Sequence, residues 1–311
     1  MSVPRRRDGV IPSPHLLSVR RAVPADESAI DDVALGTQRV TMRIPWGELC
    51  RALRAPKPGA ASGWREVPAE RRTYDLFVAE AHGQLGCLWA SVVEPPTVAQ
   101  LCALIVHDDW PLQETLGAVL PPVRRALRER GVATLAFVGL ERWLLDGLAA
   151  NGFSHTDTVV TLQKADWTVP GPGNRQVVVR PAAEPDFCAI LDIDQRAFEP
   201  LWRNTARALA EHLRVSPYFV VAELEDQVVG YEYASLTGRH GHLSRIAVCP
   251  QYHGRHVGVR LLAEALAFFR RARVFGVTVN TQRDNAQARR LYAWFGFRLL
   301  GEEAEVWTCA L

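Results

Sequence analysis

The chain has 311 residues, 48% of them apolar and 23% charged, with a formal net charge of +2. That length and mix suit two globular domains, with enough apolar material for two buried cores. The near-neutral balance gives no electrostatic footprint for nucleic acid or an anionic membrane, so neither is expected as a partner.

The chain opens with Arg5, Arg6 and Arg7, but no apolar stretch follows them, so no secretory signal is expected. Pro4, Pro12 and Pro14 mark residues 1–14 as a disordered tail. Residues 15–166 read as a first domain, interrupted by a Pro-, Gly- and Ala-rich loop at Ala55–Gly63. Trp167–Asn174 reads W-T-V-P-G-P-G-N; alternating Pro and Gly forbid both helix and ladder, so 167–174 is a linker. Residues 175–311 form the second domain. No apolar run reaches the ~18 residues of a membrane span. The six cysteines are scattered with no C-x-x-C pair, so no metal is expected, and a reducing cytoplasm fits them.

The two halves repeat each other weakly. Val19-Arg20-Arg21-Ala22 parallels Val179-Arg180-Pro181-Ala182, 160 residues on. Val78-Ala79-Glu80 parallels Val221-Ala222-Glu223 at 143, and Asn151-Gly152-Phe153 parallels Phe295-Gly296-Phe297 at 144. The order of strand and helix patterns agrees as well, which points to a duplicated domain.

The second half has the sharper signals. Phe219–Leu224 and Gln227–Leu236 are β-rich runs joined by Glu225-Asp226, a hairpin. His242–Val248 is a third strand. From Val257 the period becomes helical, with Leu261, Leu262, Ala265, Leu266 and Phe269 on the same face. Phe275–Thr281 reads as a buried strand, Asn285–Phe295 as a helix capped by Gly296, and Glu303–Cys309 as a final strand.

The chemistry concentrates in I-A-V-C-P-Q-Y-H-G-R-H-V-G-V-R-L-L, Ile246–Leu262. A strand, a Pro turn and a loop with Gly254 and Gly258 lead into a helix, which aims main-chain N–H groups and a positive dipole end at one spot suited to a diphosphate. Helix–strand packing also asks for such glycines. Asn285 and Tyr292, seven residues apart, lie two turns apart on one helix face. A phenol there is a candidate proton donor to a leaving thiolate, or a half-buried helix tyrosine.

These segments, over about Val177–Thr308, resemble the GNAT superfamily of N-acetyltransferases. The family pattern is a strand, Gln/Arg-x-x-Gly-x-Gly/Ala, a helix, and later Asn, Leu-Tyr and Gly-Phe; here Gly258, Asn285, Leu291-Tyr292 and Gly296-Phe297 match it. The resemblance implies an α/β (α+β) fold of two tandem GNAT-like domains, each a mixed, mostly antiparallel sheet flanked by helices. It implies acetyl-CoA or another acyl-CoA as co-substrate. Ile246, Ala247 and Val248 would pair with the pantetheine arm. His253, Gly254, Arg255, His256, Val257, Gly258 and Val259 would hold the pyrophosphate. Asn285 would contact the pantetheine region, and Tyr292 would protonate the departing sulfur.

Two positions depart from the pattern. His256 stands where it has a glycine, and His253 where it has Gln or Arg; either they assist an anion or an exposed loop tolerates them. The strand before the loop carries no carboxylate, and Asn280 stands where ribosomal-protein-alanine N-acetyltransferases have a Glu. Glu232 and His242 are candidate bases, beside a water chain or an amine that arrives neutral. The first half has no glycine in the matching loop, Val106–Glu114, and Leu148 at the tyrosine's place. That implies a degenerate copy without coenzyme A binding, as in tandem proteins such as mycothiol synthase; in this chain Trp46, Trp64 and Trp89 either shape an acceptor cleft or fill a core. The reading is an acetyl-CoA-dependent N-acetyltransferase acting on a small-molecule or peptide amine by direct transfer. The other is an acyl-CoA-binding regulator without turnover.

Overall fold

The structure, a computed structural model, describes residues 17–54, 74–94 and 97–311. The tail at 1–14, the loop at Ala55–Gly63 and Trp64 lie outside the described residues. Contacts divide the chain into two compact units, one of Met1–Thr156 with Val306–Leu311, the other of Asp157–Glu305. The segment 167–174 carries neither helix nor strand and lies inside the second unit.

In the first unit the order is β1 (Ser18–Arg21), α1 (Glu27–Gly36), β2 (Val40–Met42), α2 (Trp46–Arg54), β3 (Tyr74–Ala81), β4 (Gln84–Val93), β5 (Val98–Val106), α3 (Leu112–Glu129), β6 (Thr134–Gly139) and α4 (Arg142–Ala150). β7 (Ser154–Lys164) carries the chain into the second unit, followed by β8 (Val178–Pro181), α5 (Phe187–Ala197), α6 (Ala206–Val215), β9 (Tyr218–Leu224), β10 (Gln227–Thr237), β11 (His240–Val248), α7 (Val257–Arg271), β12 (Gly276–Gln282), α8 (Ala286–Trp294) and β13 (Arg298–Ala310). The last strand is longer than Glu303–Cys309, because its exposed first half has no apolar alternation to reveal it.

Each unit holds a mixed, mostly antiparallel sheet flanked by helices. The second runs β8-β9-β10-β11-β12-β7, antiparallel except for β11 beside β12. The first runs β1-β3-β4-β5-β6, antiparallel except for β5 beside β6. The apolar face of α7 packs on the second sheet: Val257, Leu261, Leu262, Ala265, Leu266 and Phe269 are all buried. On the opposite face Ile190, Ile193 and Leu209 from α5 and α6 meet Tyr231 and Tyr233. Trp89 and Trp46 belong to core clusters of the first unit.

The duplication shows most plainly in one ion triad present in both units. Arg180 grips Asp186 with two hydrogen bonds of 2.7 and 2.8 Å and Glu223 with two of 3.0 and 2.8 Å. Arg20 holds Asp26 through two bonds of 2.8 Å and reaches Glu80 at 3.2 Å. In both, the Asp also accepts a main-chain N–H at 2.8 Å, from Ala183 or Val23, and so caps the turn that opens the first helix. The triad ties strand, turn and neighbouring strand together, and a bidentate guanidinium enforces its geometry. Both hairpins also close alike: His82-Gly83 and Glu225-Asp226 each have two positive φ angles, the two-residue turn whose twist matches the strands.

The Arg180 guanidinium holds Asp186 below its ordinary value of 3.8, so its stabilisation is present above that pH and is lost as the pH falls through the depressed value. Asp186→Asn should therefore cost about 1–3 kcal/mol at neutral pH, between the limits for exposed and buried pairs. Urea unfolding at neutral and acid pH checks this, with the difference expected to shrink on acidification.

Candidate functional site

β11 pairs with β12 only from His240↔Gly276 to Leu243↔Val279. There the register of β11 against β10 slips, from Ala234↔Leu243 to Tyr233↔Arg245, leaving Ser244 as an extra residue. Such a bulge bends its strand, and beyond it β11 and β12 no longer pair. Cys249 N donates to Val229 O at 2.8 Å, so the odd-numbered groups of β11 face β10. Main-chain groups alternate edges along a strand, so the N–H and C=O of Ile246 and Val248 face the open side. One of them is met: the His253 ring Nε2 lies 3.0 Å from Val248 O.

The loop after β11 carries the second set of free donors. Among the described residues the amides of Gly254, His256, Val257, Gly258 and Val259 find no hydrogen-bond acceptor, whereas Arg255 N is turned back to Tyr252 O at 3.4 Å. Gly254 and His256 have φ of 76° and 57°, the left-handed region. For His256 this costs on the order of 1 kcal/mol, which an anion at the exposed amides would offset. The linker holds the loop from behind: Asn174 N reaches His256 O at 3.4 Å and Asn174 Nδ2 reaches Arg255 O at 3.1 Å. Gly173 is so close to Arg260 that an added Cβ would lie 2.5 Å from its main-chain nitrogen. The segment read as a linker is thus part of the loop's support. Asn174 was missed because nothing in the sequence pairs it with residues 81 positions on.

Two cavities meet here. One of about 600 Å³ is lined, among others, by Ile246, Ala247, Val248, His253, Gly254, His256, Val257, Gly258, Val259, Asn285 and Tyr292, eleven residues that the sequence singled out. Arg255 lies on another face of the loop, beside Asn174 and Gln176. A second cavity of about 230 Å³ opens between the splayed strands and is lined by Phe198, Trp202, Ser244, Arg245, Asn280 and Gln282, among others. Ile246, Asn285 and Tyr292 line both. Asn285 caps α8, its Oδ1 accepting from Ala288 N at 3.0 Å, and its Nδ2 has no acceptor among the described residues. Tyr292 is 3% exposed, and burial, reinforced by the Glu232 carboxyl, pushes its pKa well above the ordinary phenol range. It is a neutral acid at every physiological pH.

The two candidate bases stand apart from these cavities. Glu232 is fully buried on the α7 side of β10, with neither carboxyl oxygen hydrogen-bonded. Burial, with Glu264 nearby, drives its pKa far up, so it is a protonated acid and not a base. His242 lies where the strands are still paired, its Nδ1 2.9 Å from Thr278 Oγ1, and burial lowers its pKa below 6.5. Neither side chain lines the cavity where an acceptor would sit.

A charged cluster there escaped the sequence. Asp194, wholly buried in α5, accepts from Arg245 Nε at 3.0 Å, from Arg245 Nη2, from Tyr231 Oη, and from Asn204 N and Nδ2 at 2.7 and 3.1 Å. Burial lowers the Arg245 pKa, but Tyr231 and Asp194 outweigh it, so Arg245 stays charged. The available signal was an aspartate in the apolar stripe of a helix; its partner lies 51 residues away.

The first unit carries the same bulge and fills the gap it makes. β5 pairs with β6 only from Val98↔Thr134 to Gln100↔Ala136, and Cys102 is then the extra residue against β4. β2 occupies the open edge: Val40↔Ile105, Thr41↔Leu104 and Met42↔Ala103 pair, with Val106 N donating to Arg39 O at 3.0 Å and Arg43 N to Cys102 O at 2.8 Å. The loop that follows serves this strand. Asp108 accepts from Thr37 Oγ1 at 2.7 Å and Gln38 N at 3.2 Å, and Arg39 donates to Trp110 O at 2.8 Å. Leu148, at the tyrosine's place, is wholly buried.

Residues 187–297 match the model of the acetyltransferase (GNAT) family. An uncharacterized N-acetyltransferase of Methanocaldococcus jannaschii is 28% identical over 123 residues, 39% of this chain and 78% of that one. Among solved structures, a GCN5-related N-acetyltransferase from Sphaerobacter thermophilus aligns over 97% of both chains with a TM-score of 0.60 at 14% identity. A tandem GNAT protein from the clavulanic acid biosynthesis pathway aligns over 94% of this chain and 98% of that one, with a TM-score of 0.59 at 16% identity.

The buried Glu232 sets a test of the site's interior. The folded state keeps a proton that the unfolded chain releases above about pH 4.5, so this group takes stability away as the pH rises. Glu232→Gln should melt higher than the wild type at alkaline pH, with the gain vanishing as the pH falls toward 4.5. Melting curves across that range check it; parallel pH dependence would mean the carboxyl is solvated.

Proposed function

We propose that this acyltransferase, whose second unit is a GNAT acetyltransferase domain, moves an acetyl group from acetyl-CoA directly to a primary amine. The observation that carries this is the coincidence of unpaired main-chain groups with one cavity. Free donors at Gly254 and His256–Val259 suit a diphosphate, and the open edge of Ile246 and Val248 suits an amide-bearing arm laid beside it like a further strand. Val248 O has two lone pairs, so the His253 ring and an arriving N–H can share it or exchange there.

Acyl-CoA supplies the activated thioester. The acceptor enters through the smaller cavity, and Tyr292, common to both, stands where the two ligands meet. The Val248 N–H meets the charge that grows on the thioester oxygen as the amine adds. Tyr292 then gives its proton to the sulfur, so that the thiol and not the thiolate departs, and the phenolate recovers a proton from the nitrogen that has added, which leaves the neutral amide. Its desolvated phenol holds that proton until the sulfur gains charge, because ionising beforehand in a dry site is costly. Among the described residues no carboxylate lines the acceptor cavity. The amine therefore loses its proton to water at the cavity mouth, without Glu232 or His242.

The first unit binds no acyl-CoA in this reading, since β2 already satisfies the edge that the arm would need. Calorimetric titration with acetyl-CoA should give one site per chain; two sites would mean that β2 yields. Tyr292→Phe should keep acetyl-CoA affinity and lose ~10²-fold or more in turnover. Thiol-release assays measure this, and unchanged turnover removes the phenol from the mechanism.

A further inference from the structure

Arg245 stands in the wall of the smaller cavity with only part of its guanidinium engaged. Nε and Nη2 donate to Asp194, and Nε also lies 3.3 Å from Tyr231 Oη. Its plane is fixed by the Phe198 ring, whose centroid is 3.4 Å from Cζ. Nη1 has no partner among the described residues, and it is not sealed among the buried polar atoms that lack one. Asp194 does not cancel this edge. Its charge is shared among Arg245, the Tyr231 hydroxyl and two Asn204 N–H donors, so the cluster as a whole turns its positive end to the cavity.

The rest of the wall sharpens the selection. Ser244, Asn280 and Gln282 offer neutral polar groups, Phe198 and Trp202 apolar faces, and no Asp or Glu lines it among the described residues. A second ammonium on the acceptor would be desolvated there with nothing to offset it. A carboxylate would find a clamped guanidinium already stripped of most of its water, at little further ordering cost. A volume of about 230 Å³ fits a compact molecule and not a long chain.

We propose that the acceptor is a small amine bearing a carboxylate, of the amino-acid class, and that Arg245 is the group that receives that carboxylate. This rests on the acetyl-transfer reading of the same site. In it, Arg245 sets the acceptor's orientation so that the amine faces Tyr292 and the mouth of the larger cavity.

The test is an acceptor panel with the full-length protein and acetyl-CoA, followed by thiol release. Amino acids are compared with their own amides, with their decarboxylated amines, and with spermidine and kanamycin. The carboxylate form should lead its amide by on the order of 30-fold or more in kcat/KM. The comparison is conservative, because the amide's amine is the less basic and is neutral more often. In Arg245→Gln, and in the double variant Asp194→Asn/Arg245→Gln that leaves no buried charge unpaired, the preference should collapse while acetyl-CoA affinity by calorimetry stays as in wild type. A preference that survives in a folded double variant assigns the carboxylate to another group and overturns the role of Arg245. Faster reaction with decarboxylated amines or polycations overturns the acceptor class and leaves acetyl transfer standing. No thiol release with any amine, despite acetyl-CoA binding, overturns the transfer reading and this inference with it.

Discussion

A strand that parts from its neighbour must find partners for the N–H and C=O groups it exposes, because leaving them buried and unpaired costs free energy comparable to lost hydrogen bonds. One inserted residue, Ser244, imposes this on the second unit by ending the β11/β12 ladder at Leu243↔Val279. The same slip at Cys102 imposes it on the first. The two units answer differently. The first supplies its own strand, β2, and uses the following loop to hold it. The second leaves the edge of Ile246 and Val248 open beside a cavity, which is the physical reason to look for a ligand there and not in its sister.

What the copies share separates the needs of the fold from those of a site. The Arg–Asp–Glu triad recurs with nearly the same distances, as do the two-residue hairpin turns and the bulge. These devices fix strand to turn to strand, and a domain of this kind keeps them whatever it binds. The loop glycine at 254 and the phenol at 292 have no counterpart in the first unit, where acidic side chains and Leu148 stand instead. The loop of the second unit is strained at His256 and braced from behind by Asn174, a combination that preorganises free amides at a local energetic cost.

Around the cavities Tyr292 and Glu232 are buried and His242 is half-buried, and that sets the chemistry open to each. Burial keeps Tyr292 and Glu232 protonated and His242 neutral. In the wall of the smaller cavity Arg245 stays charged beside Asp194, on which five donors converge. A site built this way favours an acid that gives up its proton late and an acceptor that arrives already neutral at nitrogen.

The sequence by itself determined the duplicated plan, the face that α7 buries, the glycine-opened helix, and the Asn285–Tyr292 pair on one side of α8, since period, turn chemistry and helical spacing are local and survive without a structure. Eleven of the residues it singled out line one cavity, because they fall on three short contiguous or helically spaced runs. It did not separate Arg255 from its neighbours, because a loop's side chains alternate in ways that φ and ψ alone decide. Glu232 and His242 had the right chemistry on adjacent strands. Only the sheet decided that one faces the helix core and the other the still-paired region, since a single residue of register moves a side chain to the opposite face. The plugging of one gap by β2, and the meeting of Asp194 with Arg245, were likewise settled by tertiary structure alone: both join groups tens of residues apart, whose encounter no local pattern records.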